Sequence, residues 1–250
     1  MSKTPSMRID RLLANMGYGS RREIREMTHG RRVTLDGARI DDGDARIAIV
    51  PDLPTRMCVD GEPLDPLPGF IVMLHKPLGV TCSRKDAGRV VYDLLPEHWR
   101  RREPAISTVG RLDKETSGLL LMTDDGALLH RIISPKSHVA KRYRVDLARP
   151  LKGDETEVFG AGGLLLESDD NALLPAAFEP LSERSGFLTL HEGRYHQVRR
   201  MFAAIGNHVE ALHRDQIGAL SLPPDFEAGR WRVLHEADIA HIFAQATPNR

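Results

Sequence analysis

The sequence predicts an α+β protein of two domains. Three observations carry that prediction: a helix-helix-hairpin pattern within residues 7–65, a Pro- and Gly-rich break at residues 66–69, and short strands with isolated helices over residues 70–250. With 250 residues, 41% of them hydrophobic, the chain can bury a core in each part.

The elements follow in order. Ile9, Leu12, Leu13 and Met16 fall at i, i+3, i+4 and i+7, one face of an amphipathic helix that Gly17 and Gly19 end. Ser20 and Glu23 have the spacing of a capping box, Ile24 and Met27 supply the inward face of the next helix, and Gly30 stands where its C-terminal cap belongs. Val33-Thr34-Leu35, Asp36-Gly37 and Ala38-Arg39-Ile40 read as strand, two-residue turn and strand. Val59 to Leu64 supplies a closing strand and turn, and Pro63, Pro66, Pro68 and Gly69 mark a linker. Phe70 to Leu74 is a short buried strand leading to the turn Lys76-Pro77-Leu78-Gly79. Further on, Gly126 to Ile133 reads as a helix, Lys141 to Leu147 and Phe187 to Leu190 as strands, and Glu192 to Phe202 as a turn running into a helix. Gly160-Ala161-Gly162-Gly163 lacks the Gly-Lys-Ser/Thr of a phosphate-cradling loop and reads as an ordinary loop.

Composition excludes several classes. Lys plus Arg and Asp plus Glu both total 35, so net charge gives no general case for a polyanionic partner. Local charge does. Residues 1–40 carry nine basic side chains (Lys3, Arg8, Arg11, Arg21, Arg22, Arg25, Arg31, Arg32 and Arg39) against four acids, and residues 41–69 reverse the balance with seven acids against Arg46 and Arg56. Cys58 and Cys82 are too far apart for a redox or zinc motif and suggest reduced thiols; the histidine spacings match no zinc pattern, and no metal is expected. The N-terminus has no apolar leader and nowhere do 18 apolar residues run together, so a cytoplasmic protein without membrane contact is expected.

The most informative stretch runs from Val109 to Leu121. It places Asp113 between Arg111 and a Lys114-Glu115-Thr116-Ser117-Gly118 turn that leads into Leu119-Leu120-Leu121. An isolated Asp-x-x-Thr is usually a cap or an Asx turn. This pattern is much longer: Gly-Arg-Leu-Asp-x-x-Thr-Ser-Gly-Leu-Leu-Leu resembles the signature around the catalytic aspartate of RNA pseudouridine synthases. Lys76-Pro77-Leu78-Gly79 resembles that family's first motif, and residues 7–65 resemble the S4-type RNA-binding module. Glu192 to Val209, with Leu212-His213-Arg214 after it, looks most like the RsuA type of ribosomal RNA pseudouridine synthase. The likeness is weakest at residues 98–105 and 152–172 and in the last few residues.

The resemblance implies an S4-like RNA-binding domain at residues 7–65, a linker at 66–69 and a catalytic domain at 70–250 on a mixed, largely antiparallel sheet. It implies a monomer that converts a uridine in ribosomal RNA to pseudouridine without a cofactor, most closely matching the enzyme of small-subunit 16S rRNA. Asp113 is then the nucleophile, Tyr143 the ring on the target base, and Arg199 the cation paired with Asp113, with Arg194 as second choice. Arg111 fills the space vacated by the flipped base. Arg194, His196, Arg200 and Lys76 are assigned to the substrate, and Arg8, Arg11, Arg21, Arg22 and Arg25 to phosphates. The alternatives are the same reaction on 23S rRNA, and a non-catalytic S4-type RNA-binding assembly factor.

Overall fold

A computed structural model describes residues 4–167 and 169–244. Lys3, the first of the nine basic residues, lies outside the described residues, as do the last few residues. The chain forms two compact units. The first comprises residues up to Ile71 with Leu95–Ser107 and Thr123–Asp125; the second comprises Val72–Leu94, Thr108–Met122 and the chain from Gly126. The division is therefore not a single cut at residues 66–69.

In the first unit, β1 (Ser6–Arg8) leads into α1 (Ile9–Asn15) and α2 (Arg21–His29), followed by β2 (Val33–Leu35), β3 (Ala38–Arg39), β4 (Arg46–Ala48), α3 (Leu53–Arg56), β5 (Met57–Val59) and β6 (Glu62–Pro63). The capping box forms: Ser20 Oγ accepts from the Glu23 amide at 3.3 Å, and the Ser20 amide donates to Glu23 Oε2 at 2.6 Å. The left-handed residue beyond α2 is Arg31 (φ 62°) rather than Gly30. Asp36 and Gly37 both take positive φ, as a two-residue hairpin between twisted strands requires. Strand order is β3-β2-β5-β6, with β1 and β4 paired separately, and Leu12, Leu13, Met16, Ile24, Val33, Leu53 and Met57 form the core.

Residues 66–69 are pinned inside this unit. Arg102, 2% exposed, donates to the Pro66 carbonyl at 2.7 Å, lies over the Phe70 ring and stands 3.5 Å from Asp124, whose Oδ1 accepts from the Gly69 amide. Burial pushes the Asp124 carboxyl above its ordinary range and the Arg102 guanidinium below its own.

The second unit contains β7 (Ile71–Lys76), β8 (Ser107–Val109), β9 (Ser117–Thr123), α4 (Gly126–Ile133), β10 (Lys141–Leu147), α5 (Glu155–Ala161), β11 (Ala177–Ser182), β12 (Ser185–Leu190), α6 (Gln197–Ala204), β13 (Val209–Ile217), β14 (Leu220–Ser221), β15 (Trp231–Val233) and α7 (Glu236–Phe243). Gly160 and Ala161 close α5 instead of standing in a loop. Strand order is β11-β12-β10-β13-β9-β7-β15, with β14 beside β13 and β8 beside β9. The β10–β12, β10–β13, β11–β12, β13–β14 and β7–β15 pairs are antiparallel, whereas β9 and β13 run parallel. The sheet is thus mixed and largely antiparallel. Phe159, Phe178, Leu188, Val198, Met201 and Phe202 cover one face of it.

Candidate active site

Three neighbouring strands build the site. Tyr143 on β10 lies directly opposite Arg214 on β13, and on the other side of β13 Arg214 faces Gly118 of β9. Because Gly118 follows Asp113 by one short turn, strand pairing alone brings the aspartate, the tyrosine and the arginine to one place. They line a cleft of about 230 Å³ with Arg111, Thr116, Lys141, Glu192, Arg194, His196 and Gln197 among its walls.

A buried amine supports the Asp113 turn from beneath. Lys76 is fully buried, and its Nζ donates to the carbonyls of Thr116 at 2.7 Å, Pro77 at 3.0 Å and Lys114 at 3.4 Å. The Gly79 amide also reaches the Lys114 carbonyl, the Leu112 amide meets Cys82 Sγ, and the Thr116 amide closes the turn on the Asp113 carbonyl. Burial lowers the pKa of Lys76. The assignment of Lys76 to RNA is therefore corrected: with no solvent exposure it meets no ligand and instead shapes the turn.

Asp113 stands at the cleft with its side chain 33% exposed, and His196 Nε2 lies 3.2 Å from Oδ1, an ion pair when the imidazole is protonated. His196 takes a left-handed conformation (φ 47°, ψ 33°), a strain of about 1–3 kcal/mol for a non-glycine residue, and this places its ring at the start of α6. Arg199 does not reach the aspartate. Its guanidinium donates to the Glu115 and Val209 carbonyls, both at 2.8 Å, so it ties the Asp113 turn to β13.

Sequence reasoning missed Arg214. Only 3% exposed, it donates from Nε to the Leu119 carbonyl at 2.8 Å, brings Nη1 to 3.4 Å from the Tyr143 hydroxyl, and leaves Nη2 buried without a hydrogen-bond partner. Its available signal was a cation on the inward face of β13, alternating with Leu212 and Gln216. Lys141 was missed as well; burial and the Arg214 charge push its pKa down to about 8.

The other expected contacts divide. Arg111 is exposed on the cleft wall and makes no ion pair among the described residues. Arg194 and Arg200 are engaged: both pair with Asp169, and Arg194 also pairs with Glu192. Their guanidinium groups hold the backbone at Glu167, Asn171 and Ala172, since Arg200 donates to the Glu167 carbonyl and Arg194 to those of Asn171 and Ala172. In the first unit, Arg8, Arg21 and Arg25 converge on the fully buried Asp10 carboxylate, and Arg8 and Arg25 also reach Asp44. Burial pushes the Asp10 carboxyl up, but hydrogen bonds from Arg8 and Arg21 outweigh it and hold the pKa below the ordinary value. Arg22 pairs with Glu26, and Arg11 is exposed. The basic face is partly neutralised from within, by acids that charge counting along the chain treats as separate.

Two carboxylates, Asp113 and Glu192, at a cleft that also holds cations and rings fit an enzyme acting on a nucleic acid better than a protein that only binds one, because the acids repel phosphate. Comparison with known proteins agrees. Residues 70–204 match the RNA pseudouridylate synthase family model and residues 7–47 the S4 domain model. Ribosomal small subunit pseudouridine synthase A of Escherichia coli K12 is 40% identical over 94% of this chain and 100% of its own length; that of Vibrio cholerae is 38% identical over 95% and 100%. A crystal structure of a pseudouridylate synthase superposes with a TM-score of 0.65 at 33% identity, covering 94% of this chain and 99% of the other. The chain belongs to the RNA pseudouridine synthase family, with an S4 domain at its N-terminus.

Proposed function

We propose that the protein converts a uridine of small-subunit 16S ribosomal RNA to pseudouridine with Asp113 as the nucleophile. The small-subunit target rests on likeness to relatives whose names state it. Asp113 rests on one observation: of the two carboxylates lining the cleft, Glu192 is consumed by Arg194, Gln197 and the Leu174 amide, which leaves Asp113 for chemistry.

The reaction breaks the bond from N1 to C1′, turns the base and joins C5 to C1′; the proton lost from C5 is balanced by one gained at N1. An ionised carboxylate adds to the substrate and is released unchanged. A stacked uridine hides these atoms, so the base must be extruded at a cost of a few kcal/mol (~2–4), and ring stacking offsets part of it. Tyr143 supplies that ring, and its hydroxyl, 3.4 Å from Arg214 Nη1, is the candidate acceptor for the C5 proton. Arg111 fills the space left in the RNA. Arg214 is the buried cation of the cleft, and Arg199 and Lys76 position the turn that carries Asp113.

The test is pseudouridine mapping on ribosomal RNA from a deletion strain complemented with wild type or Asp113→Asn. A 16S site present with wild type and missing with Asp113→Asn is expected. Modification retained by Asp113→Asn refutes the nucleophile, and a wild-type-dependent site in 23S rRNA moves the target to the large subunit.

A further inference from the structure

One aromatic side chain near the cleft has no role in the chemistry above. Tyr195 is 73% exposed, the highest value among the exposed large hydrophobic side chains of the described residues. It is also ordered by its surroundings. Its ring stacks on His196 with centroids 3.9 Å apart and planes 14° from parallel, and its carbonyl accepts from Arg200 Nη1 at 3.3 Å. Arg200 is itself fixed by Asp169. The strained left-handed backbone of His196 holds the two rings side by side.

We propose that Tyr195 is a stacking platform for an unpaired nucleobase next to the target uridine. The inference rests on the reading that the uridine reaches Asp113. His196 lies 3.2 Å from that carboxylate, so the order of groups leading out of the cleft is Asp113, His196, Tyr195 and solvent. The separation of the two rings is close to the ~3.4 Å between stacked bases of one strand. A base on the outer face of Tyr195 therefore continues that stack, set apart from the uridine at Asp113 by the His196 and Tyr195 rings, a gap that the extended backbone beside a flipped-out nucleotide spans. The ligand class follows from the surface: a flat apolar ring binds any base through its π-face, purines more strongly than pyrimidines. Beside the ring, Leu166, Ala203 and Ala204 line a shallow depression with Glu167, Asp169 and the Asp169-paired Arg200, which leaves room for a ribose while its acids turn the phosphate outward.

The probe is a short RNA carrying the uridine mapped above, with 2-aminopurine replacing the nucleotide on its 5′ or 3′ side, since this base loses fluorescence when it stacks. Wild type quenches the probe at one of the two positions. Tyr195→Phe keeps the quenching; Tyr195→Ala loses it and lowers kcat/KM by about fivefold or more, within the range of about 5- to 150-fold that one stacked base contributes, with KM carrying the loss. Any other pattern overturns the proposal: wild type that quenches neither position, or Tyr195→Ala that quenches as wild type does or loses less than about fivefold. Asp113→Asn separates the two readings. It keeps the quenching while losing turnover if both hold; turnover retained by Asp113→Asn sinks the nucleophile alone, and an active wild type that never quenches sinks the platform alone.

Discussion

Replacing Gly118 with alanine tests the strand arithmetic of the site more directly than changing any charged residue. Gly118 has φ 113°, a region L side chains rarely adopt, and an added Cβ would stand 2.1 Å from the Arg214 carbonyl oxygen and 2.7 Å from its amide nitrogen. These are backbone atoms of the paired strand and cannot rotate away, so β9 and β13 must separate until 2.1 Å becomes the 3.4 Å at which ordinary contact begins. Backbone strain costs about 1–3 kcal/mol and overpacking a similar amount, giving roughly 4 kcal/mol in total. For a chain of this size that lowers Tm by roughly 8–16 °C. Turnover falls as well, because Arg214 and the Asp113 turn are displaced together. Circular dichroism melting and a tritium-release or mapping assay read the two effects. Gly126→Ala is the control: at the start of α4 its Cβ meets nothing within 4 Å, and stability holds or rises slightly. A Gly118→Ala protein that melts within ~2 °C of wild type refutes the reasoning.

Asp10→Asn removes the carboxylate shared by Arg8, Arg21 and Arg25. Breaking a buried pair costs ~3–5 kcal/mol, and with the arginines partly exposed about 2 kcal/mol is expected in urea unfolding of the N-terminal unit. Since the folded pKa of Asp10 is depressed, its contribution is complete above the ordinary value of 3.8 and is lost as pH falls through the folded value; the variant shows a shallower acid transition by circular dichroism. Lys76→Met leaves the Thr116 and Pro77 carbonyls without their donor and lowers stability by about 2 kcal/mol or more, with activity falling further than stability; an unchanged protein would remove Lys76 from the support of the turn. Lys141, with its pKa pushed down to about 8, changes from mostly charged to mostly neutral between about pH 7 and about pH 9, so RNA affinity measured by filter binding weakens over that range in wild type and stays flatter in Lys141→Arg.

Features set by local chemistry were legible in the sequence. The capping box at Ser20, the Asp36-Gly37 turn and the amphipathic faces of α1 and α2 depend on residues within a few positions of one another, and each forms. The Asp113 turn was legible because its motif encodes a backbone shape as well as a side chain. Side-chain partnerships across the fold were not. That Arg214 faces the cleft depends on the register of β10, β13 and β9, and that Arg199 turns to the Glu115 and Val209 carbonyls depends on how α6 packs, neither of which sequence spacing carries. The solvation of Lys76 likewise depends on how closely the Asp113 turn lies over β7. Counting charges along the chain placed Arg8 and Arg25 on a basic face and Asp44 on an acidic shoulder, whereas folding puts them in contact. The division into units was hidden for the same reason, since Arg102 and Asp124 belong with Pro66 and Gly69 only once the chain has returned.

The Asp10 cluster also bears on how much of the positive charge of the S4 domain is free for phosphates. Each guanidinium kept by an internal carboxylate is one fewer counterion displaced from a phosphate, so counting charges along the chain overstates what Arg8, Arg21 and Arg25 can add to a salt-dependent hold on RNA.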